Sequence, residues 1–130
     1  KKGFFLMVEG SQIDWGGHAN NKAYVVGEMV DFENTLGQVL DWAEKDGNTL
    51  VVVTADHETG GMALTDGSLK RGTVEAKFIW KEHTATMVPV FAFGPGADQF
   101  QGIYHNTAIY FKMMDLLGLP LPKPNTTPAN

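Results

Sequence analysis

The chain has 130 residues, of which 43% are hydrophobic, and carries a formal net charge of −5. That hydrophobic share separates it from disordered sequences, and the acidic balance excludes a nucleic-acid or anionic-lipid partner held by bulk charge. The absence of cysteine leaves only carboxylate oxygen and imidazole nitrogen as strong metal ligands.

The first segment, Gly3-Phe4-Phe5-Leu6-Met7-Val8-Glu9-Gly10, reads as a buried strand ending on a carboxylate. It begins abruptly after Lys1-Lys2, with no cap, linker or signal-peptide pattern, and this suggests a piece whose natural upstream part is missing. Residues 10–21 are small or polar. Asp14 and His18 have the spacing that shares a helix face, but Gly16-Gly17 favour a loop or a helix N-terminus.

An amphipathic helix is expected over residues 28–46. Met29, Phe32, Leu36, Val39, Leu40 and Ala43 recur at three- and four-residue intervals, and Gly47 provides a stop. This helix packs on a sheet and carries no chemistry. The run Leu50-Val51-Val52-Val53-Thr54 then forms a central strand, which ends on Asp56-His57-Glu58-Thr59-Gly60-Gly61. The order strand, helix, strand predicts a parallel pair with a right-handed crossover. An acid before turn glycines is also an ordinary strand exit, so Asp56 and His57 alone do not define a site.

Residues 62–65 and 73–80 predict a hairpin, and Val88 to Phe93 predicts a further strand. Asn106 caps a last helix that runs to about Leu117 and is ended by Gly118. The tail from Leu119 holds four prolines and reads as extended. The helix and three apolar strands should together bury a single core. No apolar run reaches the roughly 18 residues that span a bilayer.

Of the four histidines, three have a carboxylate close by in sequence: His18 with Asp14, His57 with Asp56, and His83 with Glu82. Two strand ends carrying acids, together with these histidines, point to ligands converging on one rim of an α/β sheet. The fourth, His105, reads as a loop residue before the Asn106 cap. Trp42 and Trp80 read as core or interface anchors.

Glu9-Gly10-Ser11-Gln12-Ile13-Asp14 with His18, then Val53 to Gly61, then His83-Thr84 together resemble the metal-binding half of bacterial alkaline phosphatases. The likeness runs from about Gly3 to Leu119, with the order and spacing of all three blocks kept. It implies the family's α/β three-layer sandwich, here incomplete: residues 1–118 would be its C-terminal portion, and 119–130 a proline-rich tail. By resemblance, Asp14, His18 and His83 match the ligands of a first zinc, Asp56 and His57 two ligands of a second, and Glu9 a magnesium ligand.

In that family one zinc activates a serine that becomes phosphorylated. The other stabilises the leaving oxygen and then activates the hydrolytic water. The resemblance implies that the nucleophilic serine, the phosphate-clamping arginine, an aspartate shared by the second zinc and magnesium, and a further magnesium ligand lie upstream of Gly3. Neither Ser11 nor Ser68 fits the nucleophile's place, and Arg71 stands in the hairpin loop. Only the first zinc has all its protein ligands here, and the chain alone is expected to be inactive. Trp15 occupies a position where some members carry Lys or His, and an indole offers no charge to a phosphate.

The implied partners are phosphate monoesters, inorganic phosphate, the upstream half of the same polypeptide and, in the parent, a second copy as a homodimer. The implied location is periplasmic or secreted. Competing expectations are a phosphodiesterase or phosphomutase of the same superfamily, and a zinc-binding module without catalysis.

Overall fold

The computed structural model describes residues 3–121. Most of the proline-rich tail therefore lies outside the described residues. The elements follow in the order α1 (Gln12–His18), α2 (Lys22–Asp46), β1 (Val51–Thr54), β2 (Glu58–Thr59), β3 (Ala63–Ser68), β4 (Thr73–Lys77), β5 (His83–Thr84), β6 (Val90–Phe93) and α3 (Ala108–Leu116).

Residues 12–18 form a complete short helix, where the sequence favours a loop or only a helix N-terminus. The two glycines that argued against a helix are its buried contact face. A Cβ on Gly16 would lie 3.0 Å from the Val25 side chain of α2, and one on Gly17 would lie 2.8 Å from the Thr59 carbonyl oxygen. Helical propensity is here overridden by close packing.

The long helix begins at Lys22, six residues before the expected start. Asn21 caps it, its side-chain oxygen accepting the Tyr24 N–H at 3.1 Å. Its first turns pack on α1, which periodicity counted from Met29 does not register. Gly47, at φ 66°, ends the helix by donating its N–H to the Ala43 carbonyl.

The sheet differs more. Residues 3–10 form no strand, and β1 pairs antiparallel with β6, with Val51 opposite Phe93 and Thr54 opposite Val90. The predicted parallel crossover is therefore absent among the described residues. Three two-stranded pairs are formed, β1 with β6, β2 with β5 and β3 with β4. The β3–β4 hairpin is as expected, closed by a 3-10 turn at Leu69–Arg71. The last helix starts two residues after Asn106, whose side chain accepts the Thr107 N–H, and Gly118 follows it at φ 63°.

The expected core does not close. Ala43 and Phe100 are the buried apolar side chains among the described residues, while Phe5, Met7 and Val8 of the first segment are 62%, 81% and 73% exposed. A strand buries its side chains only when neighbours flank it, and residues 3–10 have no strand partner here. Trp42 and Trp80 are likewise half-exposed rather than core; Trp42 meets Phe4 at 6.4 Å between ring centres.

Candidate metal centre

Three elements distant in sequence meet at one point. Helix α1 presents Asp14 and His18 one turn apart, the pair lying 3.4 Å from Oδ2 to Nε2. Strand β5 delivers His83, whose Nε2 stands 3.6 Å from Asp14 Oδ1 and 3.2 Å from His18 Nε2. Among the described residues, Asp14, His18 and His83 form the group whose donor atoms lie close enough together to share one ion.

These separations fit zinc. Ligands about 2.0–2.1 Å from a tetrahedral ion stand about 3.3 Å from one another, near each distance above. The tautomer fits as well. His18 Nδ1 lies against the Lys81 carbonyl oxygen, which can only accept, so Nδ1 carries the proton and Nε2 keeps its lone pair facing Asp14 and His83. One Asp and two His form a hard and borderline donor set with room for further ligands.

His57 joins the cluster by stacking on His83, with ring centres 3.5 Å apart and planes 18° from parallel. Its Nε2 is 3.3 Å from Asp56 Oδ2, another separation two ligands of one ion could have. The Asp56 side chain is 86% exposed and the His57 side chain 26%. Glu9 has no hydrogen bond or ion pair to this cluster among the described residues, and lies exposed at the end of the unpaired first segment. His105 stands in the turn before α3, its carbonyl accepting the Ala108 N–H, and is not part of the donor group.

Two neighbours were not singled out by sequence reasoning. The Thr59 hydroxyl hydrogen-bonds to Asp14 Oδ1 and lies 3.2 Å from His57 Nδ1, so it links the α1 carboxylate to the second histidine. Glu58 accepts from the Gly61 and Met62 N–H groups at 3.1 and 3.2 Å and from the Thr84 hydroxyl. Partial burial pushes its carboxyl up, but the Thr84, Met62 and Gly61 hydrogen bonds and the nearby His57 outweigh this and hold it below the ordinary value. The signal for both residues was their place between Asp56-His57 and two glycines, which reads equally as a plain turn.

The turn itself is closely packed. Gly60 has φ 90°, and a Cβ on it would lie 2.9 Å from the Gly17 carbonyl oxygen. Only glycine lets α1 and β2 approach closely enough for Thr59 to reach Asp14.

Comparison with known proteins places the chain in a family. The family model described as alkaline phosphatase matches residues 1–78. The alkaline phosphatase of Escherichia fergusonii is 37% identical over 135 aligned positions, which cover 92% of this chain and 29% of that protein. The solved alkaline phosphatase of the Antarctic bacterium TAB5 is 47% identical with a TM-score of 0.79, covering 87% of this chain and 34% of that one. A His-to-Asp variant of the same enzyme, 46% identical with a TM-score of 0.79 over 87% of this chain and 35% of that one, was solved with magnesium bound. The chain thus spans about a third of the length of the relatives it matches, and its mixed helices and strands are part of their α/β fold. With the family model matching more than half of its residues and an Asp-His-His donor group formed between α1 and β5, this chain belongs to the alkaline phosphatase family.

Proposed function

We propose that this chain supplies the metal-binding portion of a phosphomonoesterase, which hydrolyses phosphate monoesters through a phosphoserine intermediate. Asp14, His18 and His83 would hold one zinc. Asp56 and His57 would contribute to a second, and Glu9 to magnesium. The observation that carries this reading is the set of three donor separations, 3.2, 3.4 and 3.6 Å, each close to the edge of a zinc tetrahedron.

When bound, a zinc pair supplies positive charge to the attacking and leaving oxygens of an in-line displacement. The chain's own residues set that up. Asp14 and His18 are fixed by one turn of α1, His18 is oriented by the Lys81 carbonyl, and Thr59 ties Asp14 to the His57 side of the cluster. The nucleophilic serine and the phosphate-binding arginine would come from sequence upstream of Gly3, and the 130 residues alone would not turn over substrate. The whole protein would act on phosphate esters, as a homodimer in a periplasmic or secreted setting.

The test compares hydrolysis of a phosphate monoester and a diester by a polypeptide that carries this sequence together with upstream sequence to the length of the relatives. Monoester turnover that is lost in Asp14→Ala and His83→Ala supports the reading. Faster turnover of the diester would move it to a phosphodiesterase, and no turnover with zinc retained would leave a binding module.

A further inference from the structure

The strand that presents His83 is only two residues long, and its ladder partner β2 is equally short. Two residue pairs are a weak hold on a ligand that must stay within a fraction of an ångström of two others. In the ladder, Thr59 lies opposite His83 and Glu58 opposite Thr84. Side chains alternate along a strand, so Thr59 and His83 share the metal side while Glu58 and Thr84 share the other.

On that other side Glu58 accepts three hydrogen bonds. One carboxylate oxygen accepts the Met62 N–H, and the other accepts the Gly61 N–H and the Thr84 hydroxyl. Both oxygens are engaged away from the ion, which leaves Glu58 unsuited as a ligand. The turn that it grips is anchored further: Gly60 donates its N–H to the Glu82 carbonyl, next to His83, and its own carbonyl accepts the Ile79 and Trp80 N–H groups.

We propose that Glu58 is a positioning residue for the metal site. Its carboxylate locks Thr84 to the Gly60-Gly61-Met62 turn, and so fixes the His83 imidazole in its stack on His57, facing Asp14 and His18. The inference rests on the proposed metal role of His83. Unlike a direct ligand, Glu58 sets affinity and orientation while the ligand count stays the same.

The test uses the 130-residue chain with zinc alone as the probe, followed by calorimetry. Glu58→Ala and Thr84→Val should each weaken zinc binding about 10- to 100-fold, as loss of an outer-shell partner does, with the stoichiometry of one kept. Glu58→Gln, which retains the volume and one acceptor oxygen, should recover part of the affinity. Without metal, the ring proton shifts of His57 and His83 should move in Glu58→Ala as the stack loosens. Unchanged affinity and unchanged ring shifts in both Glu58→Ala and Thr84→Val would overturn the proposal. Should Glu58→Ala fail to fold by circular dichroism, Thr84→Val decides. Zinc bound equally by the parent chain, Asp14→Ala and His83→Ala would instead sink the metal reading, while the ring shifts still report whether Glu58 orders His83.

Discussion

The Nε2 atoms of His18 and His83, 65 positions apart in the chain, face each other at 3.2 Å. With the His18 Nδ1–H donating to the Lys81 carbonyl, the facing Nε2 of His18 is a lone pair, which a cation between the rings or an N–H of His83 would satisfy. Asp14 closes the triangle from the same helix as His18. The centre thus depends on α1 and β5 keeping their mutual position.

Removing any corner should abolish tight zinc binding. Asp14→Ala, His18→Ala and His83→Ala should each cost more than the roughly 100-fold that losing an outer-shell partner costs. Thr59→Val, which removes only a hydroxyl beside Asp14, should fall within about 10- to 100-fold. Calorimetric titration with zinc checks the order. Thr59→Val as damaging as Asp14→Ala would show that the hydroxyl itself is a ligand.

Two helical glycines should respond in opposite ways to alanine. Gly17→Ala places a methyl 2.8 Å from the Thr59 carbonyl oxygen, a backbone atom that cannot swing aside, and should destabilise by about 1–3 kcal/mol. Gly37→Ala meets nothing within 4 Å in the interior of α2 and should stabilise by about 0.5–1 kcal/mol through helix propensity. Denaturant unfolding of both variants measures the difference in sign.

Glu58 makes stability depend on acid. Its folded-state pKa lies below the ordinary value of 4.5, so its contribution is fully present above pH 4.5 and is lost as the pH falls through the folded value. The gap in melting temperature between the parent chain and Glu58→Gln should be constant from neutral pH to about pH 5 and should shrink below it. A gap that grows on acidification would contradict the hydrogen-bond origin of the shift.

The first segment carries a continuous run of exposed apolar side chains. Phe5, Leu6, Met7 and Val8 are all more than 60% exposed, consecutive and without a strand partner among the described residues. Such a run is a pairing hazard, and the 130-residue chain should self-associate at micromolar concentration. Leu6→Lys with Val8→Glu should shift it towards monomer in analytical ultracentrifugation. A monomeric parent chain would show that the segment finds cover within the chain in solution.

The sequence alone offered the candidate ligands: without cysteine, Asp and His residues near strand ends are the natural donors, and the resemblance to alkaline phosphatases is what implied which of them would share an ion. It also carried the hairpin, the stop at Gly47 and the long helix, whose signals are local. What it could not carry was partnership. Val51 to Thr54 reads the same whether its neighbour is parallel or antiparallel, and only the packed chain pairs it with Val90 to Phe93. Gly16 and Gly17 look like helix breakers until Val25 and Thr59 are seen pressed against them. Glu58 looks like one more turn residue until its carboxylate is found gripping Thr84, 26 positions away. The tertiary structure decides these features because each is a distance between residues remote in sequence, and local propensity holds no information about that distance.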